Sequence, residues 1–132
     1  MNKLLQQKKL FKALFWAWGL VIFILSSLPN IPKQEIDIWD EPFRLDYLEH
    51  FGVFAIWGGF FVIWKMKDIG NFSMKNHLWF MMGTILFAAL DEIHQIWIPG
   101  RTFNPLDLIY NVLGLLMGYL VMPLLLKWFY KE

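Results

Sequence analysis

The sequence predicts an all-α fold: a bundle of four transmembrane helices with both termini in the cytoplasm. Of the 132 residues, 58% are hydrophobic and 19% are aromatic, which is typical of an integral membrane protein. Four windows are apolar on nearly every helical face, whereas a helix of a soluble domain keeps a polar face. The charged residues lie mainly between these windows, and we expect a single domain covering residues 1–132.

The four predicted spans cover approximately residues 10–28, 48–64, 78–98 and 106–129. Each is close to the ~20 residues that an α-helix needs to cross the hydrocarbon core. The first follows a basic segment, as the core of a signal peptide would. Its apolar run is long and bulky and lacks a small-x-small cleavage site, so we expect it to be retained. Pro29 begins a polar loop, and Pro99-Gly100 marks a tight turn.

The basic residues predict the orientation, because Lys and Arg near span ends resist translocation. Nine of the 12 lie before or near the start of the first span, between the second and the third, or near or after the end of the fourth; the others are Lys33, Arg44 and Arg101. The first and third loops are therefore expected on the extracytoplasmic side. A formal net charge of +1 without a basic patch argues against nucleic-acid binding. The absence of cysteine excludes disulfides and thiol chemistry.

Polar residues gather at the extracytoplasmic ends of all four predicted spans. Ser26 ends the first, Glu49 and His50 open the second, Asp91 to Gln95 end the third, and Asp107 and Asn111 open the fourth. This topology brings them to one membrane depth, roughly one or two helical turns inside the boundary. Ionisable side chains at such a depth are costly and usually functional. We therefore predict a polar site at this end of the bundle.

Helical spacing predicts that these residues converge within each span. Asp107, Asn111, Gly114 and Gly118 share one face of the fourth span, where the two glycines form a small-xxx-small seam for a neighbouring helix. On the third span, Asp91, His94 and Gln95 are neighbours, with Glu92 about 100° around the helix.

Several of these residues also have a structural interpretation. Asp107 follows Pro105 at a helix start, where a carboxylate caps backbone N–H groups. Asn111 bonds across helices in this interpretation, His50 is an interfacial residue, and Ser26 bonds to a carbonyl of its own helix.

For two charged side chains, Glu92 and Arg101, the sequence leaves two possible positions open. Glu92 either takes part in the site or extends outward to water. Arg101 either holds a ligand anion or pairs with Asp91 or Glu92 as a clamp for the third loop.

The most specific pattern in the chain is Asp91-Glu92-x-His94-Gln95, followed by Pro99-Gly100-Arg101, Asp107, Asn111 and Gly114. It resembles the D-E-x-x-Q…G-R…D…N-x-x-G pattern of VanZ-like membrane proteins, a family named for a teicoplanin-resistance protein. Weaker similarities are Ser26 with Pro29, and His50-Phe51. The resemblance covers nearly the whole chain. It implies a four-span protein of the cell envelope, sometimes with altered susceptibility to glycopeptide antibiotics.

The chain departs from the family pattern at the start of the second span. The family often has Asp-Lys-x-x-His-Phe, whereas this chain has Asp46-Tyr47 before His50-Phe51. If the family's lysine contributes positive charge to the site, Arg44 or Arg101 must replace it here.

Together these features predict a site for an anionic envelope lipid or a lipid-linked peptidoglycan precursor. Arg101 would hold the anion, while Gln95, Asn111, Asp107, Glu49 and Ser26 would contact the ligand. If the protein is an enzyme, Asp91 or Glu92 would serve as acid or base, and His94 or His50 would relay a proton or act as nucleophile. No established catalytic motif is present, and we predict no cofactor.

Three alternatives compete with this hypothesis. A metal variant uses His50, His94 and either Glu92 or Asp91 as ligands. A non-catalytic scaffold or shielding protein would use the polar cluster as a structural hydrogen-bond network. Transport is least supported, because the inward halves of the spans offer no ionisable residue to continue a pathway.

Overall fold

The computed structural model describes residues 3–38, 41–69 and 71–130. Its α-helices are α1 (Lys3–Gln6), α2 (Lys8–Ser26), α3 (Asp46–Lys65), α4 (Leu78–His94) and α5 (Pro105–Phe129). Short 3-10 turns flank α4 at Lys75–His77 and Gln95–Trp97. By length and composition, α2, α3 and α5 are able to cross a membrane. The 17-residue α4 is shorter than the predicted third span, because the backbone tightens into the 3-10 turn at Gln95.

The first loop departs from the all-α prediction, because it contains a β-hairpin. Strands β1 (Glu35–Ile38) and β2 (Glu41–Arg44) pair antiparallel, with Glu35 opposite Arg44. The N–H of Leu45 also donates to the carbonyl of Gln34, 2.9 Å away, at the base of the hairpin. The hairpin therefore delivers Arg44 to the start of α3.

Helix α5 begins at the residues that favour a helix start. Asn104 is the N-cap, and its side chain accepts the N–H of Leu106 at 3.0 Å. Pro105 occupies the first turn, where its missing N–H has no helical partner to lose. Asn104 is therefore the residue that caps the helix. The carboxylate of Asp107 accepts a hydrogen bond from the side chain of Asn104 instead.

The glycine seam predicted on the fourth span packs α5 against α3. A Cβ atom at Gly114 would collide with the carbonyl oxygen of Phe51, and one at Gly118 with that of Ala55. On α3, an added Cβ atom at Gly58 would lie 2.8 Å from the Leu115 carbonyl oxygen of α5, which is also too close. Small residues on both helices thus allow backbone contact, which fixes α5 relative to His50 on α3.

Aromatic side chains fill the core away from the polar end. Phe61 stacks on Phe80 at a centroid distance of 4.7 Å, and Phe15 stacks on Trp57 at 5.0 Å. The outer surface is also apolar: Trp79 is 84% exposed and Leu124 66% exposed. Such a continuous exposed apolar surface is expected where hydrocarbon is the solvent.

The first and third loops contact each other directly. The N–H of Asn30 donates to the carbonyl of Pro99 at 3.1 Å. Gly100 adopts φ +75°, and an added Cβ atom would collide with the Asn30 side chain. The predicted tight turn at Pro99-Gly100 is therefore confirmed, and glycine is required there both for its conformation and for space.

Candidate functional site

Polar side chains from all four long helices meet at one end of the bundle. Six of these residues are buried, with at most 6% of their surface exposed: Ser26, Asp91, Glu92, Gln95, Asp107 and Asn111. Buried polar groups need partners to offset lost hydration. The partners divide the site into three connected parts.

The first part joins α2 to α4. The hydroxyl of Ser26 lies 2.6 Å from Oδ1 of Asp91 and 2.9 Å from the carbonyl oxygen of Phe23. The structural interpretation of Ser26 is therefore correct but incomplete, because the same hydroxyl bridges two helices. Charge-assisted bonds to carboxylates are among the stronger hydrogen bonds.

The second part joins α4 to the loop before α5. Oε1 of Glu92 accepts the backbone N–H of Asn104 at 3.1 Å, and Oε2 accepts Nε2 of Gln95 at 3.1 Å. Glu92 is fully buried, so the expectation that it extends outward to water is wrong. Gln95 acts on this carboxylate, and neither residue lines the cavity described below.

The third part surrounds Asp107. Its carboxylate accepts Nδ2 of Asn104 at 2.9 Å, and Oδ2 lies 3.6 Å from Arg44 and 3.8 Å from Nε2 of His50. His50 in turn contacts Oδ1 of Asn111 through Nδ1 at 2.8 Å. Asn111 therefore bonds across helices, as its structural interpretation predicted, and it orients the imidazole.

Arg44 supplies positive charge to this part of the site. Its guanidinium binds the Asp46 carboxylate through two hydrogen bonds and lies over the Tyr47 ring at 4.8 Å. Burial lowers the pKa of Arg44, but the hydrogen bond to Asp46 and the charges of Asp107 and Asp46 outweigh it, so its pKa lies above the usual value. Of the two possible substitutes for the family's lysine, Arg44 is the one that pairs with carboxylates.

Arg101 binds backbone instead of a carboxylate. Its guanidinium lies 3.3 Å from the carbonyl oxygens of both Leu25 and Ser26, at the C-terminal end of α2. Cations stabilise this end of a helix, where carbonyls are unpaired. Among the described residues Arg101 has no carboxylate partner within ion-pair distance, so the clamp it forms is on α2 and not on Asp91 or Glu92.

His94 lies apart from these hydrogen bonds. Its ring stacks on Phe23 of α2 at 5.0 Å, and Nδ1 is buried without a partner. The predicted metal set of His50, His94 and Glu92 is not assembled. Instead, one group of potential metal ligands comes together among the described residues. It consists of Asp46, His50 and Asp107, whose ligand atoms lie within 4.8 Å of one another. Because Arg44 already bonds Asp46 and faces Asp107, a cation is present there without a metal.

A cavity of about 280 Å³ opens beside these residues, between the first loop and the ends of α2, α3 and α4. Five of the predicted site residues line it: Ser26, Glu49, His50, Asp91 and Arg101. The other five predicted residues do not line the cavity; they either contact residues that do or lie outside it: Glu92, His94, Gln95, Asp107 and Asn111. The cavity residues that the sequence did not indicate are Lys33 and Asp46; Arg44, expected only as a possible substitute for the family's lysine, belongs to the site without lining the cavity.

The missed residues had only a weak signal in the sequence. Lys33 and Arg44 were assigned to the extracytoplasmic side by the distribution of basic residues. Asp46 belongs to the Asp-x-x-x-His-Phe segment. These features place the residues at the polar end of the bundle without indicating that Lys33 and Asp46 line the cavity.

Comparison with known proteins identifies the family. No curated protein and no solved structure matches the chain. The model of the VanZ/LLP1 family matches residues 10–126, which include α3, α4 and most of α2 and α5 as well as the whole polar cluster. This membrane protein therefore belongs to the VanZ/LLP1 family.

Proposed function

We propose that the protein is a four-span membrane protein of the cell envelope whose extracytoplasmic cavity binds an anionic head group. The ligand is an envelope phospholipid or a lipid-linked peptidoglycan precursor. Helix α4 serves as the third span, because α4 and the turn that follows it reach roughly 31 Å at the usual helical rises. That length matches the ~30 Å hydrocarbon core. The basic residues then place the termini in the cytoplasm.

The observation that carries the proposal is the presence of two cations, Arg101 and Lys33, in the wall of one cavity. Among the described residues, neither has a carboxylate partner within ion-pair distance. Lys33 is also exposed. A phosphate or carboxylate group in the cavity would interact favourably with both positive charges. Apolar residues such as Ile22 and Leu25 complete the wall, which suits the apolar part of a lipid.

If the ligand is also modified, we assign proton transfer to His50 and Asp91. Both line the cavity, and Asn111 fixes the orientation of the His50 ring. Glu92 and His94 are positioned behind this surface, so they would act through neighbouring residues and not on the ligand.

Native mass spectrometry of gently extracted protein tests the binding proposal. Wild-type protein should retain phosphatidylglycerol in preference to phosphatidylcholine, or retain a lipid-linked precursor. Lys33→Gln should weaken retention about fivefold, since one interfacial cation contributes ~1 kcal/mol. Arg101→Gln should weaken it further. The matched control is Lys67→Gln, an exposed lysine outside the cavity. Equal retention of both phospholipids and no retained precursor would refute the proposal.

The proposal extends to glycopeptide susceptibility through the family resemblance. Expression of the wild-type chain in a susceptible bacterium should raise the teicoplanin concentration that stops growth, and Lys33→Gln should reverse part of the increase. If the protein is expressed and teicoplanin susceptibility does not change, this chain has no role in teicoplanin resistance.

A structural scaffold is the second candidate, and one observation favours it. Each buried carboxylate of the site already has protein partners: Ser26 for Asp91, Gln95 for Glu92, and Asn104 for Asp107. A pure scaffold would lose stability when these bonds are removed, yet it would show no lipid preference that depends on Lys33.

A further inference from the structure

Helices α2 and α4 contact each other at two places and separate in between. At one end Ser26 bonds Asp91, and Phe23 stacks on His94 at 5.0 Å. At the other end the ring of Phe15 lies 5.5 Å from that of Phe80. An apolar groove of about 600 Å³ lies between these contacts. Its volume is within the usual range for sites of small organic ligands, ~300 to 1,000 Å³.

The same side-chain spacing forms both walls of the groove. Each helix places an aromatic residue, a glycine and an aromatic residue at four-residue intervals: Phe15, Gly19 and Phe23 on α2, and Trp79, Gly83 and Phe87 on α4. Residues at this spacing share one helical face. Gly83 leaves open space in the α4 wall, since a Cβ atom there would meet nothing within 4 Å, whereas Gly19 lets the Trp57 ring approach α2, with an added Cβ atom only 3.1 Å from Cζ2 of Trp57.

Polar groups at the floor of the groove are already paired. The indole N–H of Trp57 donates to the carbonyl of Phe15 at 2.8 Å. The hydroxyl of Thr84 lies 2.6 Å from the carbonyl of Met81 and also contacts the Tyr119 hydroxyl. Within the described residues, no buried unpaired polar atom belongs to a residue that lines the groove. A bound water needs two or more polar partners, so the groove suits hydrocarbon.

The direction and position of the groove identify the hydrocarbon. The groove extends from Phe15 to Phe23, about 12 Å along α2, and it therefore runs parallel to the lipid tails when α2 spans the bilayer. The Ser26–Asp91 bridge lies about one helical turn beyond Phe23 at its outer end, and both of these residues line the polar cavity.

We propose that this groove seats one acyl chain of a membrane lipid. The head group of the same lipid then lies in the cavity beyond the Ser26–Asp91 bridge. The placement of the head group rests on the proposed function, whereas the seating of the chain rests on the groove alone. The apolar residues of the groove recognise the chain, and the charged residues of the cavity select the lipid class.

Photocrosslinking tests the chain-binding groove. The full-length protein is placed in phosphatidylcholine nanodiscs containing a trace of phosphatidylglycerol with a photoreactive diazirine in mid-chain. We expect label on Trp57, which is 3% exposed and forms the floor of the groove. Gly83→Phe or Gly83→Leu fills the groove and should reduce this label about tenfold, equivalent to ~1.4 kcal/mol.

Gly52 provides the matched control, because an added Cβ atom there also meets nothing within 4 Å and the residue lies outside the groove. Gly52→Phe should leave the label on Trp57 unchanged. The proposal is overturned if Trp57 is not labelled, or if folded Gly83→Phe and Gly83→Leu proteins are labelled as strongly as wild type.

A second lipid separates this inference from the proposed function. Phosphatidylcholine with the same diazirine should label Trp57 less than phosphatidylglycerol does. Equal labelling by both lipids, still lost in Gly83→Phe, would support the groove and contradict the anionic head-group site.

Discussion

Replacing Ser26 with alanine is expected to loosen the contact between α2 and α4 at the polar end. The substitution removes the hydroxyl that donates to Asp91 at 2.6 Å and changes little else, because Ser26 is only 6% exposed and alanine is smaller. Asp91 is 5% exposed, so its carboxylate cannot recover the lost bond fully from water. The change therefore removes one interhelical hydrogen bond, together with the intrahelical contact of the same hydroxyl with the Phe23 carbonyl oxygen.

Two effects set the size of the expected loss. Hydrogen bonds to charged groups contribute ~1.5 to 3 kcal/mol in soluble proteins. Interhelical bonds in membranes are weaker on average, ~0.6 kcal/mol and at most ~1.7, because the unfolded chain in the bilayer finds other partners. The short distance and low exposure favour the upper part of the membrane range. We expect Ser26→Ala to lower the free energy of unfolding by about 1.5 kcal/mol, roughly tenfold in the equilibrium constant.

The adjacent serine is the matched control. The Ser27 hydroxyl bonds only to the Phe23 carbonyl of its own helix at 2.7 Å and is exposed, so Ser27→Ala should change stability by less than about 0.5 kcal/mol. Unfolding in mixed detergent micelles measures both variants. In an Asp91→Ala background, the effect of Ser26→Ala should disappear, which completes a double-mutant cycle. Equal effects of Ser26→Ala and Ser27→Ala would refute the reasoning.

Three further substitutions test other parts of the structure by the same unfolding measurement. Gly118→Leu should destabilise by about 1 to 3 kcal/mol or more, because its side chain collides with the facing backbone, whereas Gly52→Leu enters open space and should be tolerated. Arg44→Met should cost about 1 to 3 kcal/mol, since it leaves the buried carboxylate of Asp107 without its cation; Arg44→Lys should recover part of the loss. Asn104→Ala should cost about 1 kcal/mol through loss of the α5 cap. A Gly118→Leu protein as stable as wild type would contradict the α3–α5 packing.

The gathering of the polar residues at one end of the bundle was largely predictable from the sequence. Apolar windows near the length of a membrane span fix where helices lie. Charge bias and alternation of direction then bring Ser26, His50, Asp91 and Asn111 to one end. The Gly114 and Gly118 seam was predictable for the same reason, because helical periodicity is a local property of the backbone.

Hydrogen-bond partners were decided by the tertiary structure. Asp91 and Glu92 are adjacent in sequence, yet Asp91 bonds α2 and Glu92 bonds the loop before α5. Helical periodicity places these carboxylates about 100° apart, but it does not state which helix faces each one. The partners of Arg101 were likewise not predictable. The sequence suggested a carboxylate or a ligand anion as its partner, whereas its guanidinium binds backbone carbonyls at the end of α2.

The motif, the composition and the spacing by themselves indicated the family, the membrane setting and the end of the bundle at which the polar residues gather, because the bilayer imposes a length and a charge rule on every span. The tertiary structure alone decided which of those polar residues reach the cavity. It also decided that a hairpin brings Arg44 to Asp107 and that α2 and α4 leave a groove between them. The physical reason is that helix rotation, loop conformation and close packing are set by contacts between distant residues, which no local pattern encodes.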